Sequence, residues 1–371
     1  MRKVLICTGL FPPDIGGPAT YSQTLFDELP KYGLKTEVLS YGSVRKLPKI
    51  FKHIVYFLKV LSRGFKADII FAQDPVSVGL PSYLAAKVLN KKFYLKIVGD
   101  YAWEQGIQRF GVSDILDDFI NKKYGFRVKF LRSVQKFVAN RAVKIIVPSC
   151  YLKIIVSSWG IAENRIKVIY NSFELPNKEL LIISKKETRS RLNFFGTVLI
   201  SAGRLVSWKG FELLIGLMPE ILKNIPDAKL IIIGDGPDRN KLANKIKCLN
   251  LGSRVTLLGS IKHEDLLLYL KGGDIFVLNT AYEGLSHQVL EAMVCGIPVI
   301  TTNIGGNPEV IKTNKNGLLV DYNNGNQIKN AIINLYNDQE LTNKFVSEAK
   351  DILVNFSREK MLKEVVVTLS L

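Results

Sequence analysis

Short, strongly apolar runs recur along the chain and alternate with longer stretches of helical spacing or turn-rich composition. In the first half the runs are Lys3–Cys7, Thr36–Ser40, Asp68–Ala72, Phe93–Val98, Val143–Pro148 and Lys167–Tyr170. In the second half they are Val198–Ala202, Lys229–Ile233, Val255–Leu258, Ile275–Leu278 and Pro298–Thr301. Such runs predict strands, and their alternation with helices predicts parallel sheets in an α/β fold. From Phe173 to Asn193 the pattern loses its period and fills with Lys, Glu, Ser and Asn, which places a linker at 173–196. At 371 residues the chain is too long for one ordinary domain, so domains are expected at 1–172 and 197–354.

The stretch Thr280–Ile311 carries the acidic chemistry. Glu283 lies in a loop marked by Tyr282 and Gly284, and Glu291 on a helix whose apolar positions are Val289, Leu290, Met293 and Val294. Ser286 is the expected N-cap. A helix starting there turns free N–H groups and the positive end of its dipole toward the loop, a site suited to phosphate. Gly305 and Gly306 form a second turn before Pro308 at a helix start.

Composition narrows the class. Hydrophobic content of 47% and charged content of 23% are those of a globular protein. No apolar run reaches the roughly 18 residues of a spanning helix, and Met1–Thr8 leads into Gly and Pro without a signal-peptide core, so the expected location is cytoplasmic. Cys7, Cys150, Cys248 and Cys295 are far apart and mostly in apolar runs, which predicts reduced structural thiols. None of the three histidines has ligand spacing with another His or Cys, so no metal site is expected.

The net charge of +18 is concentrated in residues 1–190, with 31 Lys and Arg against 15 Asp and Glu; the remainder has 20 against 18. A basic first half calls for an anionic partner. Residues 44–66 set Ile50, Ile54, Phe57, Leu58 and Leu61 on one face, with Lys49, Lys52, Lys59, Arg63 and Lys66 largely away from it. Residues 122–144 mix Lys122, Lys123, Arg127, Lys129, Arg132, Lys136 and Arg141 with Phe126, Phe130, Leu131, Phe137 and Val138. Both stretches fit helices lying on an anionic membrane, and equally surface helices packed on the sheet with a solvated basic side. Nucleic acid is disfavoured, because no helix-turn-helix, zinc or RNA-recognition signature accompanies the charge.

Four strand ends of the second half carry polar turns: Gly203-Arg204 with the turn ending at Lys209-Gly210, the GDGPD of 234–238, the GSI of 259–261, and the Glu283 loop. In open α/β sheets the ligand sits at such carboxyl ends. In the first half the loop after Lys3–Cys7 holds Gly16 and Gly17, but prolines interrupt it and GxGxxG is absent, which disfavours a nicotinamide enzyme. An ordinary βα turn accounts for those glycines as well.

GRLVSWKG, GDGPD, LLGSI, EGLSHQVLEAM and the Gly305-Gly306 turn, in this order, resemble the second domain of the retaining glycosyltransferases of family 4, the glycosyl transferases group 1 class. The Gly16-Gly17 loop and the Val147–Ser149 and Ile169–Ser172 runs resemble that family's first domain. The resemblance implies the GT-B fold: two facing Rossmann-like domains with parallel sheets and a deep interdomain cleft. It also implies that residues from 355 to 371, capped by Ser357, return to the first domain. Arg204 and Lys209 match the family's cationic pair on the nucleotide diphosphate, although either is an ordinary surface residue without the match. Glu283 matches the carboxylate that meets the donor sugar, with Gly284, Leu285 and Ser286 beside it. Glu291, alone a solvated helix carboxylate, matches the acceptor of the ribose hydrogen bonds. Gly234 lies in the matching GDGPD turn, and Ile261 where the nucleobase is held.

The implied activity is metal-independent, retaining transfer of a hexose from a nucleotide-diphosphate sugar to a lipid-linked or cell-surface polysaccharide acceptor. The protein would sit peripherally on the inner face of the cytoplasmic membrane. Another GT-B enzyme, such as a phosphorylase, and a non-catalytic membrane-binding relative are the alternatives. No cofactor is implied. Where relatives often carry a His, this chain has Gly99 and Asp100; Asp100 is assigned to the reacting sugar or acceptor, with a βα-turn cap and the nearby Glu104 as competing readings. His287 stands where a small residue is common, leaving the size of the sugar pocket open.

Overall fold

The computed structural model describes residues 1–14, 16–173, 180 and 182–370, with the backbone alone at 49 and 50, and divides into two compact units. The first comprises Met1–Asn171 and Arg358–Leu371, the second Ser172–Ser357.

The first unit is a six-stranded sheet of β1 (Arg2–Thr8), β2 (Leu34–Ser40), β3 (Ile69–Ala72), β4 (Lys92–Lys96), β5 (Ile145–Val147) and β6 (Ile166–Val168), ordered β2-β1-β3-β4-β5-β6. Every pairing is parallel. Parallel strands under helical layers are buried on both faces, which is why β3 and β5 are apolar throughout. β2, at the sheet edge, is instead partly exposed and carries Lys35 and Glu37. The helices are α1 (Gly17–Glu28), α2 (Lys49–Gly64), α3 (Gly79–Val88), α4 (Tyr101–Arg109), α5 (Leu116–Phe119), α6 (Phe126–Ala139) and α7 (Cys150–Ser157). Tyr21 and Leu25 of α1 join Val4, Ile6 and Phe71 in a core that the C-terminal helix Arg358–Ser370 completes with Met361, Leu362, Val365 and Leu369.

The two basic stretches fold as α2 and α6. Tyr56 and Val60 are the buried face of α2, and the Tyr56 hydroxyl donates to the Leu39 carbonyl at 2.8 Å. Ile54 and Leu58 are turned out with Phe51, which is 59% exposed. On α6, Val128, Gln135, Val138 and Ala139 are buried while Phe126, Phe130 and Phe137 are exposed. Arg132 is committed inward: it donates to the carbonyls of Lys122 and Phe119, with its guanidinium 4.0 Å from the centre of the Phe119 ring. Among the described residues no helix is long and apolar enough to cross a membrane.

The second unit holds β7 (Val198–Ala202), β8 (Lys229–Ile233), β9 (Val255–Gly259), β10 (Ile275–Leu278), β11 (Val299–Thr302) and β12 (Leu318–Val320), again all parallel, ordered β12-β11-β10-β7-β8-β9. From β7 the chain builds outward through β8 and β9, then returns to β10 on the other side. The topological switch point therefore lies between β7 and β10, where an open α/β sheet leaves a crevice at its carboxyl edge. Its helices are α8 (Lys185–Arg191), α9 (Phe211–Asn224), α10 (Arg239–Cys248), α11 (His263–Gly272), α12 (His287–Val294), α13 (Asn307–Val310), α14 (Gly325–Asn337) and α15 (Gln339–Leu353).

The 173–196 stretch is not a featureless linker: residues 174–179 and 181 lie outside the described residues, but α8 is a capped helix of the second unit. Ser184 accepts from the Glu187 amide at 3.1 Å, and Lys185 and Arg189 both reach Asp274, at 2.8 and 2.7 Å. Ion pairs hold it where an apolar stripe would ordinarily do so, hence the missing hydrophobic period. None of the four cysteines is in a disulfide; Cys7 is buried, whereas Cys150 and Cys248 are exposed.

Candidate active site

Backbone packed on backbone assembles the strand ends of the second unit. After β7 the chain turns at Gly203, whose amide donates to Ile233 at 2.9 Å, and Leu205 donates to Asp235 at 3.0 Å. A Cβ added at Gly234 would lie 2.0 Å from the Gly203 carbonyl oxygen, and one at Gly236 2.4 Å from that of Leu205, so the GDGPD turn needs both glycines to seat on its neighbour. The Gly234 amide donates to Gly259 at 2.9 Å, which ties in the β9 end. This join places the Arg204, Gly234 and Ile261 segments side by side, with Arg204 exposed at the strand end.

Lys209 is set by a second junction, between the turn after β7 and the loop after β10. Ala281 donates to Trp208 at 2.8 Å, and the Asn279 side chain donates to Gly210 at 3.2 Å. The Lys209 ammonium then donates to Glu283 Oε1, both side chains being only 11–12% exposed. The two residues assigned to diphosphate and sugar are therefore an ion pair across the switch point, far from water's screening. Glu283 is braced from behind, since the Gly306 amide donates to its carbonyl at 2.9 Å.

Helix α12 follows. Ser286 caps it, accepting from the Val289 amide at 3.3 Å, as its sequence position predicts. The positive end of the helix dipole points back at the Glu283 loop. Gly284, Leu285 and Ser286 are buried beneath that end. Glu291, one turn in, is 8% exposed and is not a solvated helix carboxylate. Its Oε1 lies 2.9 Å from His263 Nε2, and its Oε2 is buried with no hydrogen-bond partner among the described residues. Sequence reasoning missed His263 and Asn279. His263 stands two residues beyond Ile261, and that proximity was the one signal available for it.

Gly16, Gly17 and Asp100 belong to the first unit. Gly16, at φ +140°, accepts from Ala19 and Thr20 at 2.9 and 3.1 Å and starts α1. Asp100 is corrected to a helix cap. Its Oδ1 accepts from the Trp103 amide at 2.9 Å, its Oδ2 from the Gln135 side chain at 3.0 Å, and the residue is 1% exposed, so it fronts no open surface for a sugar. Burial pushes its carboxyl above the usual range against those hydrogen bonds. Glu104 is half-buried on α4.

Two Rossmann-like units with parallel sheets, one carrying this polar cluster at its switch point, define the GT-B architecture. HepE of Anabaena, solved in complex with UDP and glucose, shares it with a TM-score of 0.80 over 100% of both chains at 21% identity. So does sucrose-phosphate synthase from Thermosynechococcus elongatus, with a TM-score of 0.83 over 100% of this chain and 98% of that one at 19% identity. Residues 184–352 match the family described as Glycosyl transferases group 1, and this chain belongs to that family. An uncharacterized glycosyltransferase of Methanocaldococcus jannaschii is 30% identical over 285 residues, 75% of this chain and 66% of that one. A GDP-mannose-dependent monoacylated alpha-(1-6)-phosphatidylinositol monomannoside mannosyltransferase of Corynebacterium glutamicum is 33% identical over 163 residues, 42% of each chain. The chain's matches to three Methanocaldococcus jannaschii glycosyltransferases span 66%, 62% and 58% of their lengths.

Proposed function

We propose that the protein is a metal-independent, retaining glycosyltransferase that moves a hexose from a nucleotide-diphosphate sugar to a lipid-linked or cell-surface polysaccharide acceptor. The observation that carries this reading is the cluster at the β7/β10 switch point: Lys209 paired with Glu283, a capped helix N-terminus, and a buried carboxylate oxygen on Glu291 awaiting a donor. Arg204, Lys209 and the α12 N-terminus bind the diphosphate, Glu291 accepts from the ribose hydroxyls, and the Glu283 loop meets the sugar. As the anomeric C–O bond to phosphate breaks, the acceptor oxygen bonds to the same face of that carbon. Its proton passes to the departing phosphate oxygen. Fixed cations and amides aimed at the growing diphosphate charge lower the barrier without reorganising.

The membrane reading is supported by the side chains that α2 and α6 leave in solvent, Phe51, Ile54 and Leu58 on one and Phe126 and Phe130 on the other, amid the basic excess of the first half. It places the enzyme peripherally on the inner face of the cytoplasmic membrane.

A thermal-shift screen against UDP, GDP, ADP, CMP and their sugar conjugates, with Mg²⁺ or with chelator, tests the donor site. Stabilisation by one diphosphate, indifferent to metal and lost in Arg204→Ala, is expected. No shift from any nucleotide, with binding to anionic vesicles retained, would favour a non-catalytic membrane protein. Phosphorolysis of a glycan by inorganic phosphate would favour the phosphorylase reading.

A further inference from the structure

We propose that His263 is a positioning residue for the ribose of the nucleotide: it fixes one oxygen of Glu291 so that the other meets the ribose hydroxyls. The inference rests on the donor-site reading above.

His263 opens α11 directly after the loop that carries Ile261, and Glu291 lies on α12. Because the carboxylate can only accept, the contact at 2.9 Å makes Nε2 the donor and selects a ring carrying a proton there. Oε2 is left buried with its lone pairs unused, an arrangement that costs free energy and calls for an explanation. A glutamate has three side-chain torsions. Without a tether, Oε2 could turn away from a ligand or toward the bulk, and the orientation would have to be fixed on each binding event. His263 supplies that tether from a second helix. The pair is not needed merely to hold the two helices together, since Cys295 Sγ contacts the Leu267 carbonyl at 3.5 Å and Leu267 and Leu270 are buried. His263 keeps a side-chain exposure of 36%, so it borders the site as well as supporting it.

The test is calorimetric titration of the protein with UDP, GDP, ADP and CDP, followed by the 2′-deoxy and 3′-deoxy counterparts of the tightest binder. Wild type is expected to prefer the ribonucleotide. His263→Ala should weaken the ribonucleotide by about 10-fold, the scale of a lost charge-assisted hydrogen bond, and leave the deoxynucleotides nearly unchanged. His263→Gln, whose amide nitrogen can reach the place of Nε2, should recover much of the loss. A histidine that only braces the fold would weaken all the nucleotides equally, and an unchanged preference in His263→Ala would remove its role; either result overturns the proposal. The donor-site reading fails separately, and takes this inference with it, if no nucleotide binds wild type or if wild type fails to distinguish ribose from deoxyribose.

Discussion

The amide of Gly306 donates to the carbonyl of Glu283 at 2.9 Å, and a Cβ built on Gly305 would stand 2.1 Å from that same oxygen. Gly305 also adopts φ +63°, where a side chain is strained whatever the space around it. The glycine turn after β11 thus forms the back wall of the loop that presents the Glu283 side chain to Lys209. A Cβ there has only backbone to push against, and the loop that would yield is the one carrying the carboxylate.

Gly305→Ala is therefore expected to displace Glu283 while leaving both sheets folded. Transfer should fall by at least about 10-fold, from misplacement of roughly an ångström at a positioned group. Circular dichroism would be unchanged and the melting temperature lowered modestly. Full activity in this variant would show that the loop tolerates displacement and that Glu283 is not held to tight geometry.

The Lys209–Glu283 pair allows a double-variant cycle. Removing one partner of a pair this buried leaves the other uncompensated, a cost of about 3–5 kcal/mol. Lys209→Met and Glu283→Gln should each unfold at markedly lower urea concentration, and the double variant should be less destabilised than the two losses combined. Each single variant should also lose nearly all transfer activity. Strict additivity of the stability losses would mean the two side chains do not interact in solution.

Much of this fold was legible in the sequence because buried parallel strands are apolar without interruption, and β7, β8 and β10 stand where their runs predict. β12, a three-residue strand at the sheet edge, was not read from the sequence, and α8 was hidden because Thr188 is its one buried residue. Within the site, Ser286 could be read because capping is local in sequence. The Asp100 cap was equally local, yet its burial and its bond to Gln135, 35 residues away, come from packing of α4 on α6. The Lys209–Glu283 and His263–Glu291 pairs join residues 74 and 28 positions apart, so only the strand order could bring them together. Which face of α2 packs on the sheet was open in the sequence for a related reason. Its apolar residues run most of the way round, and the sheet selects Tyr56 and Val60.

That outward face leads to a prediction for membrane binding. Vesicles containing phosphatidylglycerol should carry the protein in flotation more than phosphatidylcholine vesicles do, and added salt should weaken the association as the basic residues are screened. Replacing Phe51, Ile54 and Leu58 together by Ser should reduce flotation on anionic vesicles without lowering the melting temperature, because none of the three is buried. Equal flotation of the variant would assign the binding to charge alone, and absence of flotation by wild type would remove the membrane from the account.

A last prediction concerns Lys96, which lies buried in the first unit with no carboxylate paired to it among the described residues. Its ammonium donates to Asn171 Oδ1 at 2.8 Å and sits 3.1 Å from the centre of the Tyr21 ring. One neutral acceptor and one aromatic face compensate only part of the lost hydration, so burial holds Lys96 well below the usual lysine range. A base with a lowered folded pKa binds fewer protons folded than unfolded. Between that pKa and the unfolded value of 10.5, unfolding takes up a proton and stability rises with pH; above 10.5 the dependence from this group ends. Lys96→Met removes the titration. The stability of the variant minus that of wild type should accordingly decline as pH is raised from about 7 toward 10.5, reported by melting curves of the two proteins in matched buffers. Curves that stay parallel across that range would mean Lys96 keeps an ordinary affinity for its proton, and that the Asn171 and Tyr21 contacts fully replace water.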